Sequence, residues 1–433
     1  MICARPLALT TVALLGLACG DDGGTNESDT SSGGSTTNPG ATGTDTTDVT
    51  TAMADSTTTT APGTTTEPGS TGTTDATTSG STDDSGSTGT VELTAQCLVT
   101  HNAGLPSSAA VVRVADDGTM SGLGFTTLGG DHEPENIERD SITACGDRLF
   151  FALGNAIGTA EFMTDGTLTN VDTFDQGQAV DGVVCVGEDR LFTYRRAGGP
   201  ARTFIRLHEF DASGMPTMVF EDVRTFPEDV VQISHAVAHP SMPVVYLGVV
   251  TRVVNGPPYA AALDSLAVSP ASIFPGQRAT LSNDAVMTAV HVSDTADVLH
   301  LSNYEAGCSA YFELSNGVVP TGAMDILETC SPAWTNGVHV TSRSAGDVLY
   351  EMQFPSNIRI GTWSNGLVDQ GTIGASSQRG FLAVTHDDGI LLEVGESGLV
   401  QSYTISADGL TLTASSSLPL STSTVAGVVL PCE

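Results

Sequence analysis

Apolar positions in this chain gather into short β-rich runs separated by polar turns, most clearly between Phe381 and Leu412. There FLAVT, ILLEV, LVQSYTIS and LTLTA are divided by Asp387-Asp388-Gly389, by Gly395 to Gly398 and by Ala407-Asp408-Gly409. Runs of this kind broken by Asp/Gly turns roughly every 8–12 residues predict an antiparallel meander. Weaker copies recur upstream, each with a second run rich in Leu, Val, Phe and Tyr. That run reads Cys97-Leu-Val-Thr, Arg148-Leu-Phe-Phe, Arg190-Leu-Phe-Thr, Val244-Val-Tyr-Leu, Val298-Leu-His-Leu, Val348-Leu-Tyr-Glu and Ile390-Leu-Leu-Glu.

Seven four-stranded units spaced about 40–55 residues apart predict an all-β fold, a seven-bladed β-propeller. Helical periodicity is absent, which excludes a bundle. The first unit begins at Cys97-Leu-Val-Thr and lacks the strand before it. The chain ends on the apolar run Val425-Ala-Gly-Val-Val-Leu430. That run is expected to supply the missing inner strand and close the ring, which removes exposed sheet edges.

Composition changes near residue 92 and sets three regions: 1–18, 19–92 and 93–433. Residues 1–18 carry one charge, Arg5, and an apolar core from Leu7 to Ala18, too short to span a bilayer comfortably; they read as a secretory signal peptide. Cleavage after Ala18 would expose Cys19. Ala18-Cys19 resembles the lipobox of bacterial lipoproteins, in which that cysteine is acylated. Gly16 and Leu17 depart from the usual pattern, and an ordinary signal peptidase would accept the same site. The resemblance implies a lipid-anchored protein of the outer membrane or cell surface, whose partner there is the membrane itself. Residues 20–92 are almost wholly Thr, Ser, Gly, Asp and Ala and cannot bury enough apolar surface to order themselves. They read as a disordered linker, a stalk with a root-mean-square span of roughly 50 Å.

Every basic residue is arginine. Residues 20–92 hold 12 of the 50 acidic residues and no basic ones, leaving 38 against 14 Arg in 93–433, a net charge of −24. Phosphate backbones are repelled by such a surface, so nucleic acid is excluded as a partner. A high net charge bears on solubility more than on any one site.

Six cysteines lie outside the signal region, which allows 15 pairings, and secretion favours disulfides. The blade arrangement selects one pair: Cys97 and Cys432 flank the two strands that close the ring. Cys145 and Cys185 fall on inner strands of neighbouring blades, and Cys308 and Cys330 within one blade.

The unit Ser234-His-Ala-Val-Ala-His-Pro-Ser-Met-Pro-Val-Val-Tyr-Leu-Gly resembles the inner-strand and second-strand repeat of lactonase-like seven-bladed propellers, the 6-phosphogluconolactonase and YVTN-repeat group. So do Val290-His-Val-Ser-Asp and Phe381 to Leu412. The resemblance implies the propeller fold and either of two functions, a surface protein that binds a small molecule or protein, or a hydrolase working at the channel mouth. It carries over no catalytic motif.

Three groups of residues are candidates for chemistry. His235, His291 and His339 fall on inner strands of successive blades with the same parity, so they are expected to face the central channel as metal ligands or acid/base groups, or else to bond locally. The run Asp131 to Asp140 offers Asp131, Glu133 and Glu135 to a Ca2+ ion, though without EF-hand spacing; a solvated loop is the alternative. Arg195-Arg196, with Arg202 and Arg206, could grip an anionic ligand or neutralise nearby acids. No cofactor motif stands in a supporting context.

Overall fold

A computed structural model describes residues 95–433, apart from 132–139, 196–201, 226–229, 253–258, 285–286, 296–297, 304–307, 315, 318–325, 331–336, 364–366, 378 and 421–422. The signal, Cys19 and linker assignments lie outside the described residues. Twenty-eight strands, numbered in chain order, form seven antiparallel four-stranded sheets, and no helix occurs among the described residues.

Each blade runs from an inner strand outward. The inner strands are β4 (Ile142–Cys145), β8 (Gly182–Val186), β12 (Val230–Ala238), β16 (Met287–Val292), β20 (Gly337–Ser342), β24 (Gly380–Val384) and β28 (Thr424–Cys432). The last of these belongs to the first blade. It pairs with β1 (Ala95–Asn102) in a register that sets Cys97 opposite Leu430. Cys97 and Cys432 are bonded, with Cα atoms 5.7 Å apart. The ring therefore closes as the sequence predicts, through the chain's last strand and a disulfide.

The seven repeated runs are all second strands, and their burial explains why they stand out. Blades stack face to face, so a second strand loses both faces to neighbours and reads as an unbroken apolar run. β5 (Arg148–Leu153), β21 (Val348–Gln353) and β25 (Ile390–Gly395) are buried at every position. Successive residues of a strand point to opposite faces. Leu98 accordingly packs with Ile390, Leu392 and Val394 of the seventh blade, while Val99 packs with Leu149 and Phe151 of the second. Each such side chain contributes about 1.5–3 kcal/mol by leaving water. Outermost strands present one face to solvent; Leu412–Pro419 is exposed at most positions after its first residue.

Turn chemistry follows the sequence with one difference. In Asp387-Asp388-Gly389 the left-handed residue is Asp388, at φ 57°, not the glycine. The Asp387 side chain accepts hydrogen bonds from the Gly389 N–H and the Thr385 hydroxyl, which fixes the turn.

Candidate functional site

An inner strand is the edge of its sheet, so part of its backbone has no ladder partner and must bond elsewhere. Here side chains of one blade supply partners to the next. Thr143 Oγ1 accepts from the Cys185 N–H of the next blade at 3.1 Å, while the Asp140 carboxylate, just ahead of the second blade's inner strand, accepts from the Tyr194 hydroxyl of the third blade and from the Ala236 N–H of the fourth at 3.0 Å. His235 Nδ1 accepts from the Val290 N–H at 2.8 Å, and His339 Nδ1 from the Leu382 N–H at 3.2 Å. Polar residues on inner strands thus join blade to blade around the axis. A second disulfide, Cys145–Cys185, adds a covalent tie between the second and third blades, with Cα atoms 5.5 Å apart.

The inner strands enclose a channel cavity of about 490 Å³. His235, His291 and His339 all line it, so the shared parity expected from the sequence places them together. His291 is bound differently from the other two: its Nε2 meets Ser342 Oγ of the next blade at 2.9 Å. Burial, followed by the nearby His235, depresses the His291 pKa to about 4, so this imidazole is neutral at pH 7.

Three further residues line the channel beside the turns that follow the inner strands: His239, Asp294 and His386. His239 is buried and caps its turn, with Nδ1 accepting from the Ser241 and Met242 N–H groups. His386 Nε2 donates to the Val429 carbonyl at 3.1 Å. A carbonyl only accepts, so the ring carries a proton on Nε2. Asp294 has its carboxyl pKa raised by burial, lowered in turn by His386 and raised by Asp388. The pair forms a carboxyl and an imidazole at one rim of the cavity. Sequence reasoning missed them because they sit in turns, where no strand period marks a residue as inward-facing.

The remaining candidates are scattered. Asp131 is exposed and Glu133 and Glu135 lie outside the described residues, while Asp140, at the end of the same run, is a buried inter-blade tie. Among the described residues no group of three or more His, Cys, Asp or Glu is arranged to hold a metal ion. Arg196 and the side chain of Arg202 are likewise outside the description. Arg195 donates its backbone N–H to the Phe204 carbonyl, and Arg206 is buried in an ion pair with Glu221 at 2.7 Å. The strands carrying Cys308 and Cys330 are paired so that these two residues face each other across the ladder.

One buried acid also escaped the sequence reading. Glu351, within the repeated run Val348-Leu-Tyr-Glu, is wholly buried; burial pushes its pKa up to about 7 against the opposing hydrogen bonds from Ser302 and Gln353. Its counterpart Glu393 is equally buried but accepts four hydrogen bonds, from the Ser376 and Ser377 backbones and the Ser376 and Tyr403 hydroxyls. A charged residue inside an otherwise apolar second strand was the available signal.

No family model matches the sequence, and no curated protein matches it. Solved structures do. A candidate 6-phosphogluconolactonase from Bacteroides fragilis superposes with a TM-score of 0.60 at 13% identity, over 78% of this chain and 98% of that one. One from Bacteroides uniformis gives 0.60 at 14% identity, over 78% and 100%. The periplasmic gluconolactonase of Pseudomonas aeruginosa gives 0.60 at 11% identity, over 78% and 99%. The lactonase-like propeller expected from the repeats is thus borne out as a fold; at these identities the likeness extends no further.

Proposed function

We propose that this protein is a ligand-binding propeller held at the cell surface, whose channel takes a small polar molecule without transforming it. The observation that carries this reading is the use made of the channel histidines. His235 and His339 spend Nδ1 on the neighbouring blade's backbone, and His291 binds Ser342 through Nε2. These rings are fixed parts of the wall, and the cavity they line lies in the range that small-molecule sites occupy, roughly 300–1,000 Å³. Tethering rests on the Ala18-Cys19 site and the acidic Thr/Ser/Gly stretch after it. Metabolic labelling with a palmitate analogue tests the anchor: label on the parent and not on Cys19→Ala is expected, and equal detergent partitioning of both would remove it.

A hydrolase of the lactonase type is the second reading. It is supported by the Asp294–His386 pair at the cavity rim and by the fold shared with the gluconolactonase of Pseudomonas aeruginosa. In it His386, anchored through Nε2, would take a proton at Nδ1 from water as the water oxygen adds to the lactone carbonyl carbon, and would return that proton to the ring oxygen as the acyl C–O bond breaks. A panel of sugar lactones decides between them. Binding without turnover is expected; turnover abolished by His386→Asn or Asp294→Asn would replace the binding reading with the hydrolytic one.

A further inference from the structure

The three channel histidines differ in which nitrogen they commit, and the difference fixes what the channel offers a ligand. Ser342 Oγ donates its single proton to the Arg343 carbonyl at 2.9 Å. With its proton there, Ser342 meets His291 Nε2 as an acceptor, and in that arrangement His291 carries its own proton on Nε2. Being neutral, His291 has an unprotonated Nδ1. The ring is held in place, nearly parallel to His300 with 14° between planes, and His300 in turn accepts the Trp363 indole N–H at 3.0 Å. In the blades before and after, Nδ1 is the nitrogen tied to the next blade; in His291 it is not.

The wall thus mixes acceptors with donors. His291 Nδ1 and the Asp294 carboxylate accept, and Thr341 brings a hydroxyl that does both. Hydroxyl groups, which donate and accept at one atom, match such a lining better than an ammonium, which only donates. Anions are opposed. Among the described residues no arginine lines the cavity, the chain has no lysine, and no helix N-terminus is present to receive a phosphate. Asp140 and Asp294 bring carboxyl oxygens, not cations, to the wall, and residues 93–433 carry a formal net charge of −24.

We propose that the channel binds a small, uncharged, polyhydroxylated molecule, with His291 Nδ1 accepting a ligand hydroxyl, and that it rejects the phosphorylated form of the same molecule. This rests on the channel-binding reading and names its ligand class and its contacting atom. Ser342 is a positioning residue: it touches no ligand and sets the tautomer of His291.

The test uses the full-length protein labelled with 15N-histidine. Long-range 1H–15N spectra should show His291 protonated at Nε2 and bare at Nδ1. Titration with neutral probes (glucose, galactose, sorbitol and myo-inositol) should shift the His291 Nδ1 resonance for at least one of them. The 6-phosphate of a responding sugar should bind at least about tenfold more weakly. His291→Phe should weaken binding about tenfold, the worth of one hydrogen bond. Because that variant could disturb the ring, Ser342→Ala is the companion: its His291 should populate both tautomers and its affinity should fall without loss of the folded spectrum. A His291 proton on Nδ1, a phosphorylated sugar that binds as well as the neutral one, or unchanged affinity in Ser342→Ala would each overturn the inference. Shifts confined to His235 and His339 would overturn it while leaving channel binding intact. No shift at any channel histidine with any probe would remove both.

Discussion

Cys97 and Cys432 stand 5.7 Å apart, Cα to Cα, across a sequence separation of 335 residues. Their bond ties the second strand of the first blade to the inner strand that completes it. In the chain-entropy model a loop of this length corresponds to about 6 kcal/mol of stabilisation, a ceiling that measured disulfides usually fall below. Paired Cys97→Ala and Cys432→Ala substitutions should lower unfolding stability by about 2–5 kcal/mol. Denaturant titration of parent and variant without reductant checks this, and coincident midpoints would show that the clasp adds nothing.

Buried imidazoles should make the domain sensitive to mild acid. Burial holds His208 and His291 near pKa 4 and His300 near 3, against about 6.5 when unfolded. Folded-state pKa values below the unfolded ones mean that the unfolded chain binds more protons as pH falls. Stability should therefore be steady above pH 7 and drop as the pH passes from 6.5 toward 4. The wholly buried His300 contributes on the order of 3 kcal/mol to that drop. Denaturation midpoints measured across this window should slope less steeply in His300→Phe than in the parent.

Glu351 should act in the opposite sense. Its folded pKa near 7 exceeds the ordinary value of 4.5, so its contribution is full below pH 4.5 and is lost as pH rises through 7. Glu351→Gln keeps the shape and removes the titration. The variant should match the parent near pH 4.5 and exceed it by on the order of 2–3 kcal/mol at pH 8. A constant difference between the two proteins at every pH would contradict the assignment.

Packing around that acid gives a steric prediction. A methyl group at Gly337 would collide with Glu351 Oε1 and Ser302 Oγ, whereas one at Gly374 would meet nothing within 4 Å. Gly337→Ala should cost about 1–3 kcal/mol, as overpacking of a filled core does, and Gly374→Ala should be close to neutral. Melting curves of the two variants side by side make the comparison.

The sequence displayed the scaffold far better than the site. Second strands such as Arg148-Leu-Phe-Phe are legible because two covered faces produce an unbroken apolar run, and counting those runs led to the closing strand and to Cys97–Cys432. Inner strands gave a weaker signal, but the equal parity of His235, His291 and His339 was enough to place all three on one channel. What each ring does was not legible, since it depends on partners a whole blade away: Val290 for His235, Leu382 for His339 and Ser342 for His291. Asp294 and His386 share a cavity rim only because two turns from different blades are brought to it, and nothing within either turn signals the other. Asp140 was read with its acidic neighbours as a surface residue, yet the Tyr194 hydroxyl and Ala236 amide make it an interior acceptor.

Because Thr424–Cys432 supplies the first blade's inner strand, the earliest part of the domain to be made waits for the latest. Until Thr424–Cys432 has been made, the first sheet has three strands and Leu98 and Val99 lack their full surroundings. A chain cut short by even that one strand would leave the circle open, and the cell's proteases would meet an unfinished molecule at a seam of its own making.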